Sequence, residues 1–260
     1  MCLAVIALDA HPRYALVVAA NRDEYHARPA APAAWWDEGW LAGRDLKANG
    51  TWFGVTRAAR WAFVTNVREP ARFDPQAPSR GALVPAMLAD PSRPDASVAR
   101  IVTDATARNG FNLVAGVAAD AAWGSNRGAA EARLPRGIHG VSNAALDTPW
   151  PKVTRTKEAL GRWCDAAESD LVPLFALLAD TTVAADAELP STGVTLERER
   201  LLSAPFIVSP TYGTRCSTVL TIDRDGAAHF VERTFSADGG VRGEVEYAFA
   251  VSENAETGLR

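Results

Sequence analysis

The chain has 260 residues, 48% of them apolar and 22% charged, with a formal net charge of −4. This is ordinary globular composition, long enough for a core of its own, and the mild acidity gives no electrostatic footprint for nucleic acid or an anionic membrane surface. The three cysteines, at 2, 164 and 216, are too scattered for a disulfide framework and lack zinc or haem-attachment spacing. No apolar run approaches the ~18 residues of a membrane span, and the N-terminus has no basic region or cleavage site. A cytoplasmic protein with no integral membrane segment and no cofactor is the expectation.

Leu3 to Leu8 and Tyr14 to Ala20 are short, nearly continuous apolar runs separated by the turn cluster Asp9-Ala10-His11-Pro12-Arg13. They predict two strands joined in a hairpin, in a sheet covered on both faces. The second run delivers Asn21-Arg22-Asp23-Glu24 to its far end, and antiparallel pairing returns that end towards the start of the first. Residues 25 to 50, rich in Pro, Ala and Trp, read as a long irregular excursion, its tryptophans either lining a pocket or pinning the loop to the body. Thr51 to Thr56 and Arg60 to Asn66 predict strands. Helices are expected from about Gly81 to Ala89 and from Ser97 to Arg108, where Val98, Ile101, Val102 and Ala105 recur at helical spacing.

Phe111 to Val117 and Ile138 to Asn143 follow as strands. A helix to about Ala166 carries the stripe Val153, Thr156, Leu160 and Trp163, and Asp170 to Leu178 is its partner. Ala184 to Thr192 reads as loop. The end of the chain is β again: Cys216 to Ile222, a turn at Asp223-Arg224-Asp225-Gly226, Ala228 to Thr234, and Glu244 to Val251, the Asp-Gly pair being a strong hairpin signal. Strands at both ends enclosing helices suggest one domain of sheets layered between helices.

The chemistry begins at Met1-Cys2. If Met1 is removed, Cys2 carries a thiol and a free α-amine on one residue. The amine, with an ordinary pKa of roughly 7.7–8.0, is partly unprotonated near neutrality and positioned to take the thiol proton. A nearby cation such as Arg22 would raise the thiolate fraction. The plainer reading is that Met-Cys-Leu begins a buried strand. Asn66 and Asn143, at strand ends, suit either an amide donor to an oxyanion or a turn cap. Arg215 suits a structural ion pair equally well, and Cys216 reads as core.

Together, Met1-Cys2-Leu3, Asn21-Arg22-Asp23-Glu24, Gly50-Thr51-Trp52-Phe53-Gly54, Thr65-Asn66, Val141-Ser142-Asn143 and Gly213-Thr214-Arg215-Cys216-Ser217-Thr218-Val219 resemble the NRDE family, also called the transport and Golgi organization protein 2 family. The resemblance covers essentially the whole chain. It implies an α+β fold, a four-layer αββα sandwich similar to the N-terminal nucleophile hydrolases. Carried over by the resemblance, Cys2 is the nucleophile and its α-amine the base, Arg22 or Asp23 orients that amine, Asn66 and Asn143 are polar site residues, and Arg215 buttresses the site. In the hydrolases the early Arg and Asp are separated. Here they are adjacent, so on an extended strand they point to opposite faces and only one faces Cys2 unless the strand ends in a turn.

Three functions follow. The first is hydrolysis of a linear amide or related acyl bond in a small-molecule substrate. The second is binding or trafficking of an apolar ligand such as haem, as the resemblance implies for eukaryotic relatives tied to Golgi and endoplasmic-reticulum organisation. The third is a scaffold with a vestigial cysteine.

Overall fold

The computed structural model describes residues 3–252, and residues 129–132 by their backbone alone. The first half of the chain holds β1 (Leu3–Leu8), β2 (Tyr14–Tyr25), β3 (Ala30–Trp35), β4 (Trp40–Asp45), β5 (Phe53–Thr56), β6 (Arg60–Asn66), α1 (Leu83–Ala89), α2 (Pro94–Asp104), β7 (Phe111–Val117) and β8 (Asp120–Ser125). It continues with β9 (Ala129–Arg133), β10 (Gly137–Val141), α3 (Pro151–Asp165), α4 (Val172–Leu178), α5 (Leu196–Leu201), β11 (Tyr212–Asp223), β12 (Ala227–Phe235) and β13 (Val241–Ala250). Two antiparallel sheets result, one in the order β10-β1-β2-β11-β12-β13 and the other in the order β3-β4-β5-β6-β7-β8-β9.

Strand alternation explains the layering. In β1, Ala4, Ile6 and Leu8 face the second sheet, meeting Phe53, Val55, Trp61 and Phe63, whereas Val5 and Ala7 face Leu160, Trp163, Leu174 and Leu178 of α3 and α4. On the far side, Ala62, Val64, Leu113 and Ala115 carry Val84, Met87, Val98 and Ile101 of α1 and α2. The order helix, sheet, sheet, helix is the four-layer αββα sandwich. Both faces of β1 are buried, as its unbroken apolar run requires.

Two stretches correct the sequence reading. Residues 25 to 50 are not an irregular excursion but contain the hairpin β3–β4. Pro32 is tolerated there because β3 is an edge strand and its pairing with β4 slips between Ala31 and Ala34. The turn from β7 into β8 carries no sequence signal because it is made by alanine: Ala118 adopts φ 45°, a left-handed conformation usually announced by Gly or Asn, whereas Gly128, at φ 82°, marks the turn from β8 into β9. β2 also runs past its apolar half through Asn21-Arg22-Asp23-Glu24 to Tyr25.

The strand β10 is fixed to α3 by a charged cluster. His139 has Nδ1 2.9 Å from Asp147 Oδ2 and Nε2 2.9 Å from the Pro135 carbonyl. Both partners are acceptors, so these contacts favour the protonated ring, in which both nitrogens donate. The Asp147 hydrogen bond raises the His139 pKa above its ordinary 6.5, against burial, which would lower it. Burial would raise Asp147, yet hydrogen bonds from His139, Lys157 and the Gly140 N–H bring it down to about 2. The His139 contribution to stability is therefore full below pH 6.5 and is lost as pH rises through the raised folded value. The thermal midpoint should fall across that alkaline interval in the wild type, and this fall should be missing in His139→Gln. Parallel curves for the two proteins would refute the assignment.

Candidate functional site

The end of β2 is held from both sides. Leu3, which follows Cys2 in the chain, opposes Asn21 in the β1–β2 ladder, and on the other flank Arg22 opposes Cys216 and Asp23 opposes Thr214 of β11. The register slips by one residue between Thr214 and Cys216, leaving Arg215 in a bulge. Cys2 itself lies outside the described residues.

The four motif residues do different work. Asn21 is fully buried; its Nδ2 donates to the Leu178 and Pro205 carbonyls at 2.8 and 2.9 Å, and its Oδ1 accepts from Ser217 Oγ at 2.6 Å. Arg22 projects between the sheets, only 4% exposed, with its guanidinium 4.3 Å from the Trp52 ring centroid and 3.8 Å from Asp45 Oδ2. Among the described residues Arg22 Nη1 has no hydrogen-bond partner. Asp23 turns to the opposite face, where its Oδ1 accepts from Thr214 Oγ1 at 2.7 Å while that hydroxyl also accepts the Ile207 N–H. Glu24 sits at the rim, 3.9 Å from Arg28. Arg22 and Asp23 therefore part company as period-two geometry requires, yet both reach the mouth of one cavity near the end of β2.

Asn66 closes β6 and lines that cavity, and its side-chain amide has no hydrogen bond among the described residues. Asn143 is committed instead: its Nδ2 donates to the Asn66 carbonyl at 3.0 Å, and its Oδ1 accepts from Arg68 Nη2 at 3.4 Å. Arg68 in turn pairs with the buried Glu199 at 2.6 Å, tying this corner to α5. Arg215 Nη1 donates to the carbonyls of Tyr25, His26 and Arg28, at 3.0, 3.2 and 3.2 Å. It fastens the chain leaving β2.

Two adjoining cavities, of about 510 and 500 Å³, form a groove across these strand ends, and both are lined by Asp23, Glu24, Arg28, Asn66, Phe73 and Arg80. Arg22 opens only on the first and Asn143 only on the second; Arg215 reaches neither. Burial would raise the Asp45 carboxyl in the groove, but the Arg28 hydrogen bond at 2.7 Å and the N–H groups of Lys47 and Ala48 hold it below its ordinary value.

The sequence reading gives no role to Asp45, to the buried Glu232, or to Trp52, although Trp52 stands in the Gly50-Thr51-Trp52-Phe53-Gly54 motif. Glu232 had a legible signal, since it shares the inter-sheet face of β12 with Ala228 and Phe230, a position where alternation calls for an apolar residue. Trp35, Trp36 and Trp40 line none of these cavities and pin the hairpin instead: Trp35 packs under Arg57 and against Phe249, and Trp36 Nε1 donates to the Ala42 carbonyl. Trp52, outside that stretch, is the tryptophan that meets the site. Its indole lies where a side chain on Gly43 would otherwise be, an ideal Cβ there falling 2.3 Å from the ring.

The two other thiols are unreactive by environment. Burial, then the neighbouring Glu232, pushes Cys216 well above the usual thiol range, and burial pushes Cys164 up to about 11. No helix among the described residues is long and apolar enough to cross a membrane.

Among solved structures the chain is similar to a Caenorhabditis elegans N-acylethanolamine-hydrolyzing acid amidase ortholog, with a TM-score of 0.44 and 12% identity, covering 84% of this chain and 92% of that one. A variant of conjugated bile acid hydrolase from Clostridium perfringens gives a TM-score of 0.46 and 8% identity, covering 98% of this chain and all of the other. In sequence, the Transport and Golgi organization protein 2 homolog of Bos taurus is 32% identical over 271 residues, 94% of this chain and 96% of the relative. The Homo sapiens homolog is 32% identical over 260 residues, 90% of this chain and 93% of the relative. The family described as Transport and Golgi organisation 2 matches residues 1–237, and the chain belongs to it.

Proposed function

We propose that the protein is a cysteine hydrolase of the N-terminal nucleophile type, cleaving a linear amide or related acyl bond with Cys2 as nucleophile and, once Met1 is removed, the Cys2 α-amine as base. One observation carries the reading. The strand that follows Cys2 begins at Leu3 opposite Asn21, at the strand end where a cavity gathers Arg22, Asp23 and Asn66.

In this reading the α-amine takes the thiol proton, and the thiolate attacks the carbonyl carbon of the substrate. The tetrahedral oxyanion collects donors: Arg22 Nη1, which has no acceptor among the described residues, and the amide of Asn66, which lines the same cavity. Collapse breaks the C–N bond, the amine leaves with the proton held by the α-ammonium, and the acyl group stays on sulfur as a thioester. Water, deprotonated by the same α-amine, releases the carboxylic acid and restores the thiol. Asp23, anchored by Thr214, would orient the α-ammonium. Asn143 and Arg215 would act one step back, Asn143 by holding the Asn66 backbone and Arg215 by fixing the turn after β2.

The test uses the contrast among the thiols. Brief iodoacetamide treatment at neutral pH should add one adduct, mapped to Cys2, to a protein whose intact mass lacks Met1; Cys164 and Cys216, buried with raised pKa values, should react only after denaturation. Retention of Met1, or a slow Cys2, would sink the proposal.

Binding of an apolar ligand such as haem is the second reading. The exposed Phe73 and Tyr25 beside Tyr212 along the second cavity favour it. No His, Cys or Met lines either half of the groove among the described residues, so a macrocycle would be held there by its faces and by arginines such as Arg68 and Arg80 rather than by an axial ligand.

A further inference from the structure

Behind Trp52 lies a third chamber, of about 360 Å³. Arg22 and Trp52 line both this chamber and the groove, so their stacked pair forms the wall between the two. The other charged residues around the chamber are Arg215, Arg242 and Glu232, and Ala30, Pro32 and Phe235 supply an apolar side.

Two independent observations point to a ligand. The first is a pair of orphaned donors: Arg22 Nη1 and Trp52 Nε1 are both buried, and neither finds an acceptor among the described residues. Their parent residues are only 4% and 6% exposed. A buried donor left without a partner costs about 1–3 kcal/mol, more when it is charged, so natural structures rarely keep one without an occupant nearby.

The second is charge. Three guanidiniums converge on the chamber and a single carboxyl faces them. Burial, against hydrogen bonds from the Ala33 N–H and Thr218, raises the pKa of that carboxyl, Glu232, above its ordinary value. Arg215 feels burial first and then the field of Arg22, both lowering its proton affinity, with Cys216 and Glu24 opposing and Arg242 adding a smaller lowering. Asp45 answers Arg22 only at 3.8 Å and is itself engaged by Arg28. A water molecule would satisfy a donor but leave this excess positive charge unanswered. A carboxylate answers both, and its two coplanar oxygens match the guanidinium fork.

We propose that this chamber binds a small organic carboxylate, its oxygens taken by the Arg22 guanidinium and the Trp52 N–H, with Arg242 at the rim and its carbon body against Ala30, Pro32 and Phe235. The chamber shares Arg22 with the proposed acyl-transfer site, and it would exist whether or not the chain hydrolyses amides. Arg242 comes from β13, beyond the 1–237 stretch matched to the family.

Benzoate is the probe, titrated at low ionic strength by calorimetry and by tryptophan fluorescence. Saturable one-to-one binding is expected, with no binding of the neutral isostere benzyl alcohol. Arg242→Gln, at an exposed position, should raise the dissociation constant about tenfold and flatten its salt dependence. Lys47→Gln, whose charge lies on the groove side of the wall, should leave it unchanged. Absence of saturation up to tens of millimolar, equal binding of benzyl alcohol, an unaltered affinity in Arg242→Gln, or a loss in Lys47→Gln matching that in Arg242→Gln would each overturn the assignment.

Discussion

Replacing Cys2 by alanine is expected to lower hydrolysis of short linear acyl p-nitroanilides by about 10³-fold or more. The thermal midpoint and far-ultraviolet circular dichroism of the same sample check that the fold survives. The loss should fall on kcat rather than KM, because the sulfur forms its bond only on the way to the transition state while the groove that holds the substrate is untouched. Residual turnover would come from the donors Arg22 and Asn66, which can polarise the carbonyl for direct attack by water. Cys2→Ser keeps the α-amine but offers a far weaker nucleophile, so it should fall between the wild type and the alanine variant. An alanine variant as active as the wild type would end the hydrolase reading and turn attention to ligand binding in the groove.

The largest expected effect on stability comes from Asn21→Ala, at the first residue of the Asn-Arg-Asp-Glu motif. Its amide spans the sheet and the chain beyond it, bonding the last residue of α4, the Pro205 carbonyl and a β11 hydroxyl. Alanine strands two buried carbonyls and the Ser217 hydroxyl at once. Losses of 1–3 kcal/mol for each unsatisfied group, offset in part by relaxation, give a destabilisation of about 3–4 kcal/mol. That is a large fraction of the ~5–15 kcal/mol typical of a folded domain. Asn21→Asp should cost more, since it turns the amide donor into an acceptor aimed at two carbonyls. Urea unfolding followed by circular dichroism measures both; a loss below about 1 kcal/mol in the alanine variant would show that the Asn21 network is not a principal tie.

The contrast between Asn21 and Arg22 shows what a sequence conveys and what it withholds. The apolar runs of β1 and β2 and the stripes Val98-Ile101-Val102 and Val153-Thr156-Leu160-Trp163 were readable because burial imposes a period on the chain, and every one of those stripe residues is buried. That Arg22 and Asp23 must diverge followed from the same period. What periodicity does not carry is which distant strand arrives alongside. The pairing of β2 with β11, nearly two hundred residues away in the chain, makes Asn21 a structural tie and Arg215 a clamp on the β2–β3 turn. The strands β3, β4, β8 and β9 are harder to read for a different reason: these alanine-rich pairs at the sheet edges lack the β-branched composition of a strand, although Gly39 and Gly128, at φ 88° and 82°, mark the turns within them.

The slip in β3 has a consequence for the behaviour of the protein at high concentration. An edge strand exposes backbone groups that can template pairing with another chain. At the slip, Ala33 does not pair with β4; its N–H donates to Glu232 and its carbonyl accepts from Tyr247 Oη, both from the opposite sheet. The centre of the edge is thereby turned inward and its hydrogen-bonding capacity consumed. A carboxyl buried at some energetic cost thus also guards the outermost strand against self-association.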